Sequence, residues 1–338
     1  MDLIVSTDRG LYCPPGDFHI DPWRGVDRAL ITHAHGDHAR RGSGVYVCQA
    51  ASAPILRKRL GDDIAIETAA FGETLTRNGV EISFHPAGHV LGSAQIRIAF
   101  KGEVWVASGD YKVENDGVSG AFEPIRCHAF ITESTFALPI YRWRRQAEIA
   151  AEIDAWRRGN AAAGRASVIY AYALGKAQRV LSLLDRDAGP IVCHGAVEPI
   201  NQIYRAEGVA LPPTLSVADV KSKADYARAV IVAPPSAAGS AWLKRFGEYS
   251  DALASGWMQV RGNRRRRGLD RGFALSDHAD WPGLLEAIQA TGAERILATH
   301  GFTGPLTRYL SEQGLDARPL ETAYGDEDEA APAAEVAE

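Results

Sequence analysis

The stretch LITHAHGDHAR, Leu30–Arg40, sets three histidines and an aspartate within six residues, directly after a short apolar run. Ala29, Leu30 and Ile31 suit a strand that feeds a tight turn. His33 and His35 are two apart, so in extended backbone both rings project to the same side. Asp37 and His38 follow Gly36 and are expected to open a helix, facing a neighbouring point. The spacing therefore suits two metal ions side by side, and imidazole with carboxylate suits zinc, manganese or iron. A lone H-x-H pair would carry little weight, since a histidine-rich turn can simply be solvated. H-x-H-x-D-H is far more specific.

Further ligands are needed to close two sites. HPAGHVLGSAQ offers His89 at a strand end, between glycines that let backbone approach closely. VWVASGDYK offers Asp110 at the end of a buried strand, where a carboxylate can bridge two cations. Taken singly, each would read as an ordinary polar loop residue. Their order after THAHGDH changes that reading.

Bulk properties set the bounds. The chain has 338 residues, 46% hydrophobic and 23% charged, which suits a globular protein of about two domains. A formal net charge of −5 excludes a generally basic nucleic-acid binder, so a polyanion would be held by a local basic patch or by metal. No apolar stretch approaches the ~18 residues of a membrane span. The opening MDLIVSTDRG lacks the basic and apolar regions of a signal peptide. Cys13, Cys48, Cys127 and Cys193 form no C-x-x-C pair and read as small buried residues in a reducing cytoplasm.

Periodicity divides the chain. Residues 1–145 are β-rich: in VEISFHPAG, Val80, Ile82 and Phe84 alternate with Glu81, Ser83 and His85, and QIRIAF and EVWVASGD extend an antiparallel meander. RCHAFITEST reads as another buried strand. From Gln146 the pattern becomes helical, with Ile149, Ile153 and Trp156 on one face and RRGN as the stop. Strands in ASVIYAYAL, GPIVCHG and ARAVIVAPP then alternate with helices in GKAQRVLSLLDR, VEPINQIYRAEG and SAAGSAWLKRFG, which predicts a parallel α/β domain over 146–265. Residues 266–324 add the helix WPGLLEAIQATG, the strand ERILATHG and the helix GPLTRYLSEQG. The acidic, Ala- and Pro-rich 325–338 is expected to be disordered.

THAHGDH, GHVLGSAQ and SGD, in that order, resemble the motifs of the metallo-β-lactamase superfamily. The resemblance implies an α/β fold, an αββα sandwich with a metal site at one edge. Asp21 in HIDP resembles the superfamily's early acidic residue, which orients the loop of metal ligands. Glu133 in ITESTF, His278 in LSDHAD, His300 in LATHG and the segment YALGKAQRVL resemble the β-CASP nuclease branch, in which an α/β domain is inserted into the lactamase fold. GLYCPPGDFHIDPW and ITHAHGDHARRG resemble the opening of the bacterial ligase-associated DNA exonuclease family. By that resemblance, His33, His35 and His89 hold one divalent ion, Asp37, His38 and His300 hold the other, and Asp110 bridges. Zinc or manganese is the implied metal. Asp37 counts with the catalytic residues as well, beside His278 as general acid and Glu133 as its partner. The implied activity is a two-metal DNA exonuclease in DNA end processing or repair. Its partners would be single-stranded DNA or accessible DNA ends, with a DNA ligase and a helicase, in the cytoplasm and away from membranes. A ribonuclease of the same branch and a non-catalytic nucleic-acid-binding scaffold are the alternatives.

The chemistry stands on its own. A phosphodiester is anionic, and its leaving sugar oxygen needs a proton, which an imidazolium beside a carboxylate can give. A thioesterase or lactonase has no such need. Three segments are candidates for holding the strand. RGNRRRRG carries Arg261 and Arg264, Arg265, Arg266 and Arg267. YRWRRQ sets Trp143 among Arg142, Arg144 and Arg145, so that a base could stack while arginines meet phosphates. ALGKAQR offers Gly175 backbone and Lys176 at a helix start. A solvated face, a helix start and a plain glycine turn are the respective bland readings. His19, His85, His128 and His194 read as structural or exposed, with His85 on a face that could reach the ligands.

Overall fold

The structure, a computed structural model, describes residues 2–220 and 226–322. The acidic tail expected over 325–338 lies outside the described residues. The fold is mixed α/β, with three sheets and two compact units: residues up to Arg142 together with those from His278 onward, and Trp143–Asp277.

The first unit contains two sheets. Val5–Ser6, Leu11–Cys13, Phe18–Ile20, Arg28–Ile31, Val45–Gln49 and Ile66–Ala69 follow one another in chain order across a six-stranded sheet. The second has seven strands, in the order Asp316–Pro319, Arg295–Gly301, Ala129–Ser134, Glu103–Ala107, Ala94–Phe100, Val80–Pro86 and Thr74–Arg77. The meander read from the sequence is there: Val80–Pro86, Ala94–Phe100 and Glu103–Ala107 pair antiparallel in succession.

Strand alternation distributes these residues between two cores. Trp105, Ala107, Ala129 and Ile131 join Leu30, Val47 and Phe18 in a core shared by both sheets. Val106 and Phe130 point the other way, with Ile296 and Ala298. There they meet Leu284 and Ile288 of helix Trp281–Thr291 and Leu306 and Leu310 of helix Thr303–Glu312. Covered on both faces, Ala129–Ser134 is buried throughout: its first three residues are apolar, and Thr132, Glu133 and Ser134 satisfy their polar groups by hydrogen bonds. Each large aliphatic group buried this way stabilises by ~1.5–3 kcal/mol.

The second unit is a parallel five-stranded sheet, ordered Ile191–Cys193, Val230–Ala233, Ala166–Tyr170, Tyr249–Ala254 and Arg271–Phe273. Its last strand lies beyond residue 265, so the unit extends to Asp277. Two local expectations are corrected. RRGN does not stop the first helix, which runs Gln146–Ala162: Arg157 reaches Asp154 and Asn160 reaches Ser167, so both polar side chains are satisfied inside the fold. SAAGSAWLKRFG forms only short 3-10 turns, Pro235–Ala237 and Leu243–Phe246. Gly239, with φ 71°, interrupts any longer helix there. All four cysteines are buried free thiols.

Candidate metal centre

Strand Arg28–Ile31 leads into the histidine-rich loop. Asp37 and His38 do not open a helix; Ala39 N–H donates to the His35 carbonyl at 2.9 Å and closes a single turn. The chain leaves the turn at Ala39, bends at Arg41 and Gly44, and enters strand Val45–Gln49.

Three imidazole nitrogens converge there. His35 Nδ1 lies 3.1 Å from His33 Nε2 and 3.0 Å from His89 Nε2. Asp110 Oδ2 stands 3.4 Å from His33 Nε2 and 3.6 Å from His89 Nε2. Its other oxygen, Oδ1, faces a second set, at 3.0 Å from His300 Nε2 and 3.5 Å from His38 Nε2. Asp37 Oδ2 is 3.3 Å from His38 Nε2. Ligands at ~2.05 Å in tetrahedral arrangement would be about 3.3 Å apart, so these donors have the spacing a first-row divalent ion needs.

Charge completes the fit. Burial and the neighbouring His38 push His33 well below the usual imidazole range, which leaves a neutral ring with a lone pair to share. Burial would raise the Asp110 carboxyl, but His38, His300 and His33 outweigh it and hold it far below the carboxylate range. Burial likewise opposes ionisation of Asp37, and His38 overcomes it. His38 is lowered by burial but raised further by Asp37, Asp110 and Asp21, ending well above its ordinary value. One buried and one half-buried carboxylate thus demand positive charge, which protons on imidazole can meet or divalent cations can meet by displacing them.

The supporting groups are specific. Asp21 accepts from the Thr32 N–H at 2.8 Å and from the Thr32 hydroxyl, and lies 2.7 Å from His38 Nδ1. That contact turns His38 Nε2 toward Asp110. Thr32 has no signature in the sequence, yet it links Asp21 to the histidine-rich loop. His89 sits in a loop where Ser93 Oγ accepts from the N–H groups of His89 and Val90. Gly88 is required there, with φ 74° and a Cβ position only 2.5 Å from the Lys112 carbonyl oxygen. His300 owes its aim to a bulge. Glu133 pairs with Thr299 and Ser134 with Gly301, so the register shifts by one residue at His300 and the strict alternation of the strand is broken there.

Beside this cluster, Glu133 Oε2 is 2.8 Å from His278 Nδ1, while Oε1 accepts from the Tyr111 N–H at 2.7 Å. Glu133 is buried and His278 is 22% exposed, so the imidazole is the member of the pair that solvent can reach. Its ring lies 4.6 Å from that of His89.

Arg59, on helix Ala53–Leu60, was not singled out by any motif. Its Nη1 donates to the Ala34 carbonyl, between His33 and His35, at 2.5 Å. Gly36 has no positive φ; a Cβ there would stand 3.1 Å from Arg59 Nη2. The glycine makes room for the guanidinium. Arg59→Ala is expected to weaken metal affinity, since a charged hydrogen bond on the ligand loop is worth ~1.5–3 kcal/mol. Gly36→Ala should be harmful alone and nearly neutral in the Arg59→Ala background. Additive losses in metal titrations of the two single and one double variant would break this link.

The basic segments have varied surroundings. Arg142 is exposed and Trp143 half-buried. Arg144 pairs with Glu148 and Glu152, and Arg145 with Glu148. The Gly175 N–H donates to Gln178 Oε1, and buried Lys176 Nζ lies 2.9 Å from Asp277. Arg266 donates to Asn263, and Arg264 to the Asp270 carbonyl. His85 contacts Ser83 Oγ at 2.9 Å and Glu123. Among the described residues, no helix is long and apolar enough to cross a membrane.

No family model matches the chain. Over 319 residues it is 30% identical to a protein of Opitutus terrae named "Probable DNA ligase", covering 93% of this chain and 30% of that protein. It is 37% identical over 125 residues to endoribonuclease ysh1 of Aspergillus fumigatus, covering 36% of this chain and 14% of the relative. With cleavage and polyadenylation specificity factor subunit 3-I of Arabidopsis thaliana it shares 30% identity over 213 residues, 52% of this chain and 30% of that one. The chain therefore spans less than a third of each of these relatives. A crystal structure of a protein of unknown function from Enterococcus faecalis superposes with a TM-score of 0.53 at 10% identity, over 80% of this chain and 74% of the other, a likeness of fold.

Proposed function

We propose that this chain is a metal-dependent phosphodiesterase of the metallo-β-lactamase superfamily, β-CASP branch, acting as a DNA exonuclease in end processing or repair. The observation that carries the reading is Asp110, whose two oxygens face two separate sets of imidazoles, with the Glu133–His278 pair alongside. Two facing sheets with helices on the outer side of one support the αββα sandwich reading, and a parallel α/β unit falls where the branch carries its insert.

His33, His35, His89 and Asp110 would hold one divalent ion, and Asp37, His38, Asp110 and His300 the other, with zinc or manganese suited to the donors. When bound, such ions supply positive charge to non-bridging phosphate oxygens and acidify water. The protein's own groups do the rest. Asp21 and Thr32 keep His38 oriented. His278, its Nδ1 held by Glu133, can deliver a proton only from Nε2, to the departing sugar oxygen. Glu133 stabilises the imidazolium by its negative charge. A non-catalytic scaffold would have no use for that pair.

DNA is favoured because similarity runs through 93% of the chain in the ligase-named relative, which carries this module within a much longer protein. The same fusion supports a DNA ligase as partner, with a helicase by family resemblance, and work on DNA points to the cytoplasm. Similarity to an endoribonuclease over 125 residues supports the second reading, RNA. A manganese- or zinc-supplemented digest of end-labelled single-stranded DNA and RNA of one sequence decides between them. Stepwise shortening of the DNA alone is expected. RNA cleavage with DNA intact would replace this reading with the ribonuclease.

A further inference from the structure

We propose that the second unit carries an anion site of its own, a cleft walled by Arg261, Arg264, Arg265 and Arg271 over Met258 and Gly272, that binds phosphates of a nucleic-acid strand. The identity of the ligand rests on the nuclease reading; the site itself rests on geometry. As sequence, RGNRRRRG is a run of like charges with no preferred member. Folding sorts it. In helix Arg261–Arg266, positions 261, 264 and 265 are spaced i, i+3 and i+4 and share one face, whereas Arg266 bonds Asn263 and does not line the cleft. Strand Arg271–Phe273, at the edge of the five-stranded sheet, brings Arg271 to the same place.

Neutralisation is what this cleft lacks. Other arginines of the unit have carboxylates: Arg144 has Glu148 and Glu152, and Arg205 has Glu198. Among the described residues, Arg261, Arg264, Arg265 and Arg271 form no ion pair. Arg264 donates to the Asp270 carbonyl at 2.7 Å, a contact that fixes the guanidinium without cancelling its charge. The Asp270 carboxylate accepts from the Ser250 hydroxyl at 2.8 Å and lies within ion-pair distance of none of the four. Buried Met258 closes the floor with a weak acceptor at best. Four uncompensated guanidinium groups from two elements repel one another unless an anion joins them. Their planar forks match phosphate oxygens, and a cleft of about 310 Å³ has room for a phosphate and its sugar.

Two double variants with equal change in net charge test this in the full chain: Arg261→Ala with Arg271→Ala, and Arg266→Ala with Arg267→Ala. Anisotropy of a labelled, hydrolysis-resistant phosphorothioate 20-mer is followed against salt. The first pair should weaken binding about tenfold and flatten the salt slope by about 1.4, or ~0.7 per lost contact with a single strand. The second should change either quantity little. Equal losses in both pairs, or none in either, overturn the site. A mononucleotide titration separates the sources of phosphate: if the first pair loses mononucleotide affinity yet keeps the strand, the cleft serves a free nucleotide and the strand proposal fails. Hydrolysis of bis-p-nitrophenyl phosphate reads the metal centre alone. Its loss in the unsubstituted chain would count against the nuclease reading, whereas its persistence in both pairs leaves the binding result to stand by itself.

Discussion

Asp110→Ala is expected to abolish hydrolysis and to empty at least one of two metal positions. The carboxylate presents Oδ2 to His33 and His89 and Oδ1 to His38 and His300, so one substitution removes a ligand from both sets. The loss should far exceed the ~10–100-fold that follows when only a group behind a ligand is changed. Electrostatics points the same way, because Asp110 is held as a carboxylate by His38, His300 and His33 against its burial, and nothing replaces that charge in alanine. Asp110→Asn preserves shape and should fold, yet fail equally, which distinguishes lost charge from lost structure. Elemental analysis should find about two ions per unsubstituted chain and fewer in either variant. A single ion in the unsubstituted chain, or normal turnover in Asp110→Ala, would refute the bridging role.

The second large effect separates proton delivery from metal binding. His278→Ala should retain both ions and bind DNA but turn over ~10²–10⁴-fold more slowly. The deficit should shrink on bis-p-nitrophenyl phosphate, because p-nitrophenolate leaves with little protonation. His300→Ala should behave differently: its Nε2 faces Asp110 at 3.0 Å, so it should lose metal, and excess metal should restore part of the rate. Glu133→Gln should be milder than His278→Ala. Its amide oxygen can still accept from the Tyr111 N–H, but the NH2 group would meet His278 Nδ1 as a donor and withdraw the negative charge. If His278→Ala loses metal, or is crippled equally on both substrates, His278 belongs among the ligands.

What could be read from the sequence was what local rules control. His33, His35, Asp37 and His38 fall within six residues, and strand alternation separated the faces of residues 80–84: Val80, Ile82 and Phe84 enter the core, while Ser83 and His85 meet on the other side. The parallel unit followed from its repeating order of strand and helix. Contacts between distant segments had no such signal. Lys176 was a natural candidate for an anion site, yet its partner is Asp277, 101 positions away, and the Gly175 N–H meets Gln178. Arg59 reaches Ala34 from a helix that carries no motif. Arg271 joins Arg261 only because Arg271–Phe273 pairs with Tyr249–Ala254. The helix expected at Asp37 is a single turn, closed by the Ala39 N–H on the His35 carbonyl.

The bulged pairing of Ala129–Ser134 with Arg295–Gly301 also sets a timetable for synthesis. The two strands are separated by the whole of the second unit, with Ser134 and Thr299 165 residues apart. At ~5–20 residues per second, a ribosome needs roughly 8–33 s to cover that interval. Glu103–Ala107 can flank one side of Ala129–Ser134 early, but the other side of this wholly buried strand must wait. During the wait, an apolar edge with open N–H and C=O groups is a template for pairing with other nascent chains. The same delay keeps His300 away from Asp110, so the unfinished chain lacks one member of the candidate metal centre. Arg295–Gly301 covers the open side of Ala129–Ser134 and brings His300 to Asp110 in one step, before Asp316–Pro319 adds the edge strand.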